Sequence, residues 1–393
     1  MRVASDFRQF IRIRWAWALV AAMFLYGIGV GVLAPMNAVY MKDGVGLTKA
    51  QITWVFSSSL LLNMLLTAAV GLISDRLRRR KAIPMVAAAL CACGLLVYMR
   101  ADGFAPALIG MALASAPSGM IMGQMFAMAR NHYTRRAPDI VEISQLWLRA
   151  TFSVGFFSGL LIGANVYLLA SFRGVLWGNL LGYAALFALL LLYREVETEP
   201  GAKRAAGGEP YSLAMLIALL LLSCADAIRG LYLPLVVSGK FGDPRYASYL
   251  WSAQAVFELL FMTAAGYWAA KYGSKRLILY AAIGAFVTYI VYAQTDSLAV
   301  YFTMQPVYSF FVSVLLGVAM GYVQRMFIHR AGFGASLYVF ITQTASLVGY
   351  MLPLVVPGIS ADIFYIPAGL VLISVAIQCV VLLRERTVGY NRG

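Results

Sequence analysis

The sequence predicts an all-α membrane protein: twelve transmembrane helices in two pseudo-symmetric six-helix bundles. Three observations carry that expectation. Of 393 residues, 62% are apolar and only 12% are charged, about half the charged share of an ordinary soluble domain. Apolar runs of about 18 residues or more, each long enough to cross a bilayer, recur along the whole chain. The basic residues cluster in the short segments between those runs. The net charge of +15 therefore reads as an orientation signal rather than as a nucleic-acid surface. This balance excludes a disordered chain, a disulfide scaffold and most cytosolic enzymes.

The elements follow in order. Backbone groups in lipid must pair within their own segment, so each apolar run is read as a helix. A basic tail (Arg2, Arg8, Arg12, Arg14) leads into an apolar run from Trp15 to Pro35. That run is too long for a signal-peptide core, and no small-residue cleavage site follows, so a retained first helix is expected over 16–41. Helices 2 to 6 are expected at 50–74, 82–99, 104–130, 143–169 and 174–193. The stretch from Arg194 to Pro210 breaks the pattern of short loops, holding Glu195, Glu197, Glu199, Lys203, Arg204, Gly207, Gly208 and Glu209. It reads as a cytoplasmic linker (194–210) between an N-terminal bundle (1–193) and a C-terminal bundle (211–393). Helices 7 to 12 are expected at 211–238, 247–270, 277–294, 297–323, 334–356 and 362–383.

Counting charges orients the chain. With the N-terminus in the cytoplasm, 23 of the 31 basic residues fall on that side and six (Lys42, Lys49, Arg100, Arg173, Lys240, Arg245) on the other. Arg149 and Arg229 remain inside helices. The bias places both termini in the cytoplasm. An internal repeat supports the two halves: Gly71 with Arg76 and the cluster to Lys81 returns as Gly266 with Lys271 and the cluster to Arg276, an offset of 195 residues.

These features together resemble the major facilitator superfamily. Its loop signature is matched by Gly71, Asp75, Arg76 and Arg79 to Lys81. Arg78 stands in place of a second family glycine, and Ala270 replaces the aspartate in the second copy. Scattered patches over most of the chain are similar to the bacterial sugar efflux transporters of that superfamily. They are Gln124 to Arg130, Arg149-Ala150 with Ser153 and Gly159, Pro234-Leu235, Glu258 with Gly266-Tyr267 and Tyr272-Gly273, and Gln324 with Arg330-Ala331-Gly332. The resemblance implies proton-driven export of sugars, glycosides or related polar molecules. It implies a bacterial inner-membrane protein working as a monomer, with protons, a small polar solute and the bilayer as its partners. It leaves the cargo open, since relatives carry siderophores and drugs. One departure is that Gly159 is followed by Leu160, where antiporters often have Gly-Pro. The resemblance also implies that the Gly71 loop, with Asp75, Arg76, Arg79 and Arg130, gates the switch between states.

Charges inside the membrane are the informative residues. Each costs about 2.5–3.5 kcal/mol at a helix centre on insertion scales. Glu258 lies eleven residues into helix 8 and Asp226 fifteen into helix 7, so both fall near the midplane, where such transporters bind substrate. Both are proton-coupling candidates, Glu258 first. Gln254 and Trp251 lie on the same stripe one and two turns earlier, and a carboxylate, an amide and an aromatic ring suit a polyol. Asp226 and Arg229, three apart, are expected to neighbour each other, either as an intrahelical ion pair or as a pair that opens for substrate or proton. Tyr232 follows on the same face. Arg149, on a stripe with Gln145 and Ser153, is a candidate to pair with Glu258 as a gate between the halves. Asn37, Asn63, Gln124, Gln305, Tyr308 and Gln343 are further candidates to line the cavity, each equally suited to a helix–helix hydrogen bond. Gly155, Gly159 and Gly163 are spaced to admit a partner helix.

The other motifs are uninformative. Cys91, Cys93, Cys224 and Cys379 all lie inside apolar runs, and the two histidines, His132 and His329, are far apart. No phosphate loop, metal spacing or nucleophile–base pair appears, so no cofactor is expected. A membrane enzyme would need a cluster of His, Asp or Cys at one face, and a receptor would need a sizeable extramembrane domain. The remaining alternatives keep the same fold with a siderophore, drug or peptide as cargo, or with inward symport.

Overall fold

The computed structural model describes residues 10, 13, 15–74, 80–137, 140–195, 209–327 and 331–390. The chain divides into two compact units, Met1–Gly201 and Ala202–Gly393. Among the described residues there is no strand. Each of the helices expected from sequence coincides with a helical stretch. Nine stretches among the described residues are long and apolar enough to cross a membrane, and one of them, Trp147–Leu192, runs through two of the expected helices.

Unit 1 contains α1 (Ala16–Leu33), α2 (Lys49–Ser74), α3 (Ala82–Tyr98) and α4 (Phe104–Arg136). A single helical run then bends at Ala170 and at Ser171, whose φ of 52° is left-handed, giving α5 (141–169) and α6 (172–192). The first helix is shorter than the sequence suggests. It stops at Leu33 and is followed by a short turn, Asn37–Val39, and a π-helical turn, Tyr40–Gly44. Pro35 explains the stop: it lacks the N–H that would continue the ladder, and its ring crowds the carbonyl four residues back.

Glycines set the packing of α1. A Cβ at Gly155, Gly159 or Gly163 would overlap the backbone carbonyls of Phe24, Ile28 and Val32 respectively. The spaced glycines of α5 therefore admit α1. On the other side of α1, Gly29 meets Gly182 of α6 with the same loss of space for a side chain. The core of unit 1 is filled by Leu19, Met23, Tyr26, Met125, Leu148 and Leu186 among others.

Unit 2 contains α7 (Leu213–Phe241), α8 (Arg245–Tyr272), α9 (Ser274–Gln294), α10 (Leu298–Met326), α11 (Ala331–Met351) and α12 (Tyr365–Tyr390). Ser212 caps α7 by accepting the Met215 N–H at 3.3 Å, and Gly242, at φ 72°, closes it in a left-handed turn. Gly349 of α11 lies against the Cys224 carbonyl of α7, so a glycine admits a close helix approach here too. α7 also packs on α12, α8 on α10, and α9 on α12. α10 is not one regular helix. It restarts at Gln305–Ser313, with Pro306 in the first turn where its missing N–H costs nothing, and widens into a π-helical turn at Val314–Ala319.

The ends of the expected linker are fastened to their own units. The Glu195 carboxylate accepts the backbone N–H of Arg80 and, at 3.0 Å, that of Lys81. Lys81 Nζ in return donates to the carbonyls of Leu191 (3.0 Å) and Tyr193 (2.7 Å). Glu195 thus supplies a negative charge to the N-terminal end of α3, and Lys81 a positive one to the C-terminal end of α6, as the helix dipoles favour. In unit 2 the Glu209 N–H donates to the Arg325 carbonyl at 3.0 Å.

Candidate functional site

A network of charged and polar side chains is buried in unit 2. Asp226 and Arg229 stand one turn apart on α7, and Tyr308 of α10 comes between them. Its hydroxyl donates to Asp226 Oδ1 at 2.5 Å, and its ring lies under the Arg229 guanidinium, 3.8 Å from Cζ to the centroid. Asp226 and Arg229 do not form a direct ion pair among the described residues, which corrects the intrahelical pair expected from their spacing. Tyr308 displaces that pair because one phenol serves both partners, a donor for the carboxylate and a π face for the cation.

Arg229 is only 2% exposed, so its charge requires close partners. Nη1 donates to Gln254 Oε1 of α8 at 2.5 Å, and Nη2 to Gln305 Oε1 of α10 at 3.0 Å. Gln305 is fixed in turn by donating to the Tyr292 hydroxyl (2.7 Å) and the Tyr301 carbonyl (2.8 Å). Tyr289 shares a 3.2 Å hydroxyl contact with Tyr308. Arg229 Nε has no hydrogen-bond partner. The sequence marks Asp226 with Arg229 on one helix and Gln254, Gln305 and Tyr308 on others, and the fold joins all five. The sequence reading misses Tyr289 and Tyr292. Their spacing of three along α9 is a signal for a shared face, obscured because tyrosine also counts as apolar.

The α8 stripe of Trp251, Gln254 and Glu258 is partly buried. Two serines of α10 hold its backbone: Ser309 donates to the Gln254 carbonyl (2.9 Å) and Ser313 to the Glu258 carbonyl (3.2 Å). Tyr232 lies apart from this stripe. It is fully buried and donates to the Tyr350 carbonyl at 2.9 Å, so it ties α7 to α11 rather than lining a cavity as expected. Gln343 is partly buried.

In unit 1 the two asparagines hold helices together. Asn37 accepts the Tyr98 hydroxyl at 2.9 Å, and Asn63 donates to the carbonyls of Ser115 (3.0 Å) and Ala116 (2.9 Å), where α4 is interrupted. Gln124 is 6% exposed and its Oε1 has no partner. Arg149 and Arg130 are exposed, and Arg149 and Glu258 belong to different units. Gly71 is in the last turn of α2, while Asp75, Arg76 and Arg79 lie outside the described residues. Burial pulls the Lys81 ammonium below its usual value, and the nearby Glu195 carboxylate opposes that pull. Among the described residues no group of three or more His, Cys, Asp or Glu side chains is arranged to hold a metal ion.

The chain matches the Major Facilitator Superfamily over residues 19–350. It belongs to that superfamily. It is therefore a multi-pass membrane transporter and not an enzyme. Curated relatives include sugar efflux transporter B of Salmonella typhimurium, 24% identical with 94% of this chain and 95% of that one covered. Sugar efflux transporter C of Escherichia coli is 21% identical over 94% of this chain and 96% of its own length. Among solved structures, the nucleoside transporter NupG superposes with a TM-score of 0.77 at 16% identity, covering 94% of this chain and 98% of that one. A POT family transporter in complex with a thioalcohol-conjugated peptide superposes with a TM-score of 0.75 at 12% identity, covering 94% and 96%. At these identities the superpositions speak for the major facilitator fold alone.

Proposed function

We propose that this transporter is a proton-coupled exporter of sugars, glycosides or similar polar small molecules in a bacterial inner membrane. The observation that carries the reading is the Asp226–Tyr308–Arg229 network. It keeps a carboxylate and a guanidinium in an apolar unit, where each charge is costly to hold, and binds them through groups that can exchange partners. Protonating Asp226 removes the negative charge that offsets Arg229, leaving that cation with neutral partners only. Proton occupancy and the arrangement of α7, α8 and α10 are then linked. Glu258 is the second proton site, one turn beyond Gln254 on α8. Trp251 and Gln254 give a sugar a ring to stack on and an amide to pair with. Similarity to sugar efflux transporters over most of the chain supports this cargo class, and the charge bias supports cytoplasmic termini.

The test is transport by the purified protein in proteoliposomes, with a panel of labelled monosaccharides and glucosides and an imposed pH gradient. Solute should move against the proton flux and stop with a protonophore. Asp226→Asn and Glu258→Gln should each lose gradient-driven movement and keep solute exchange. Unchanged gradient-driven transport in both variants would remove proton coupling from these carboxylates. Transport of peptides or siderophores but of no sugar would overturn the cargo.

A further inference from the structure

Two arginines meet in unit 1 at a cavity that the transport reading does not use. Arg100 follows the C-terminal end of α3, and Arg173 opens α6 just after the bend at Ser171. Both line one cavity of about 360 Å³, with Tyr40, Leu96 and Trp177 among its walls. No carboxylate lines it. Asp102, two residues from Arg100, is exposed and outside the lining, as is Asp43, which is paired with Lys42 at 3.5 Å. Neither guanidinium has a hydrogen bond or ion pair among the described residues.

The placement runs against the charge pattern of the chain. The loops holding Arg100 and Arg173 belong to the side with six basic residues against 23, yet two of those six converge here. Arginine is the residue whose planar fork matches a phosphate with two parallel hydrogen bonds. Of its lining, Leu96 and Trp177 are exposed apolar side chains, and they continue into exposed Val97 beside Leu96 on α3 and exposed Leu181 one turn beyond Trp177 on α6. Tryptophan at such a place marks the level of lipid headgroups. The volume separates headgroup from chain, because pockets for drug-sized molecules run from about 300 to 1,000 Å³. This one, at the low end, admits a glycerophosphate group and leaves acyl chains outside.

We propose that this cavity binds the phosphodiester of a membrane phospholipid between Arg100 and Arg173, with its acyl chains lying along Leu96, Val97, Trp177 and Leu181. The cationic pair faces the anion, and the apolar rim faces the hydrocarbon. A neutral sugar would use neither feature.

The test uses full-length protein, stripped of lipid in maltoside detergent. It is then mixed separately with dioleoyl-phosphatidylglycerol, dioleoylglycerol or glycerol 3-phosphate. Native mass spectrometry reads retained lipid, and thermal unfolding reads stabilisation. Phosphatidylglycerol should be retained and should raise the unfolding temperature, and the other two should do neither. Arg100→Gln with Arg173→Gln should lower lipid occupancy about tenfold or more, the loss expected for about 1.4 kcal/mol or more of binding. Its lipid-free unfolding should stay as in the parent, because both side chains are exposed. Should that variant misfold, Arg100→Lys with Arg173→Lys, which keeps charge but loses the fork, should give intermediate occupancy. Arg136→Gln, a charge removed elsewhere on unit 1, should leave retention unchanged. Undiminished retention in both arginine double variants would overturn the proposal. Equal stabilisation by glycerol 3-phosphate would replace the lipid with a soluble anion. Equal retention of dioleoylglycerol would leave the arginines with no part in it.

Discussion

Replacing Tyr308 by phenylalanine separates the two tasks that the tyrosine performs. The ring under Arg229 stays, so the 3.8 Å cation–π contact is kept. The hydroxyl is lost, and with it the 2.5 Å donor to Asp226 and the contact with Tyr289. A hydrogen bond to a charged group contributes about 1.5–3 kcal/mol, against about 0.5–1.5 for a neutral pair. Tyr308→Phe should therefore destabilise the protein by about 1.5–3 kcal/mol. In an Asp226→Asn background the acceptor is neutral, and the same change should cost about 0.5–1.5 kcal/mol. The coupling energy is then about 1–1.5 kcal/mol, large enough for a double-mutant cycle to resolve. Tyr232→Phe is the internal standard, since its hydroxyl donates to a neutral backbone carbonyl at 2.9 Å. Tyr308→Leu removes ring and hydroxyl together and should cost about 2 kcal/mol more than Tyr308→Phe if the cation–π contact is desolvated. The assay is reversible unfolding of purified protein in mixed micelles by a denaturing detergent. Equal costs of Tyr308→Phe in the two backgrounds would show that Asp226 does not draw on the hydroxyl as a charged acceptor, and the bridge would be packing only.

The remaining predictions concern other parts of the chain. Gly159→Val should destabilise unit 1 by about 1–3 kcal/mol through overpacking, because its Cβ would meet the Ile28 carbonyl, whereas Gly230→Ala, with open space at its Cβ, should be tolerated; similar unfolding of both variants would contradict the packing of α1 on α5. Glu195→Gln keeps the acceptor but loses the charge, and should slow transport and lower stability by about 0.3–1 kcal/mol, with Glu195→Ala costing more; unchanged unfolding in both would mean that the clasp on α3 contributes nothing. Burial pushes the Asp243 carboxyl up, but side-chain and backbone hydrogen bonds from Arg245 outweigh it and hold the group below the usual carboxylate range. Stability from Asp243 is therefore present above its unfolded value and lost as pH falls through the lower folded value. Asp243→Asn should flatten the acid limb of an unfolding-versus-pH curve, and an unaltered acid limb would exclude the pair from acid stability.

The fold was legible because hydropathy and helix length answer to the same bilayer, and that constraint acts locally along the chain. Pro35 was as visible as the apolar run around it, yet the run outweighed it in setting the end of the first helix. The interruption of α10 at Gln305 and its π turn depend on which helices surround it, which no window of sequence contains. The site was legible as a set of residues but not as an arrangement. Asp226 and Arg229 announce themselves by charge, and three-residue spacing makes a direct pair the natural expectation. Tyr308 lies 82 positions from Asp226, and nothing local says that its phenol will stand between them. Glu195 was hidden for the same reason, since its partners Arg80 and Lys81 lie 115 and 114 positions away along the chain.

Gln254 shows why the arrangement matters more than the roster. On its own helix it belongs to a stripe with Trp251 and Glu258, a pattern suited to a polyol. In the fold its Oε1 is already taken by Arg229, and its backbone carbonyl by Ser309. A solute hydroxyl seeking this amide oxygen must therefore compete with a guanidinium that has few other acceptors, Nε already having none. That competition is unfavourable while Asp226 is neutral, since Arg229 then depends more on its two glutamines. It eases when Asp226 is ionised and shares the cation's field through Tyr308. Solute binding at Gln254 and proton binding at Asp226 should on this account oppose each other, which is the thermodynamic sign that an exchanger of solute for protons needs and a symporter does not. Gln254→Leu uncouples the two by removing the shared acceptor. Solute affinity should fall in that variant and lose its dependence on pH, and an affinity that falls while keeping its full pH dependence would place the linkage elsewhere, with Glu258 the next carboxylate to test.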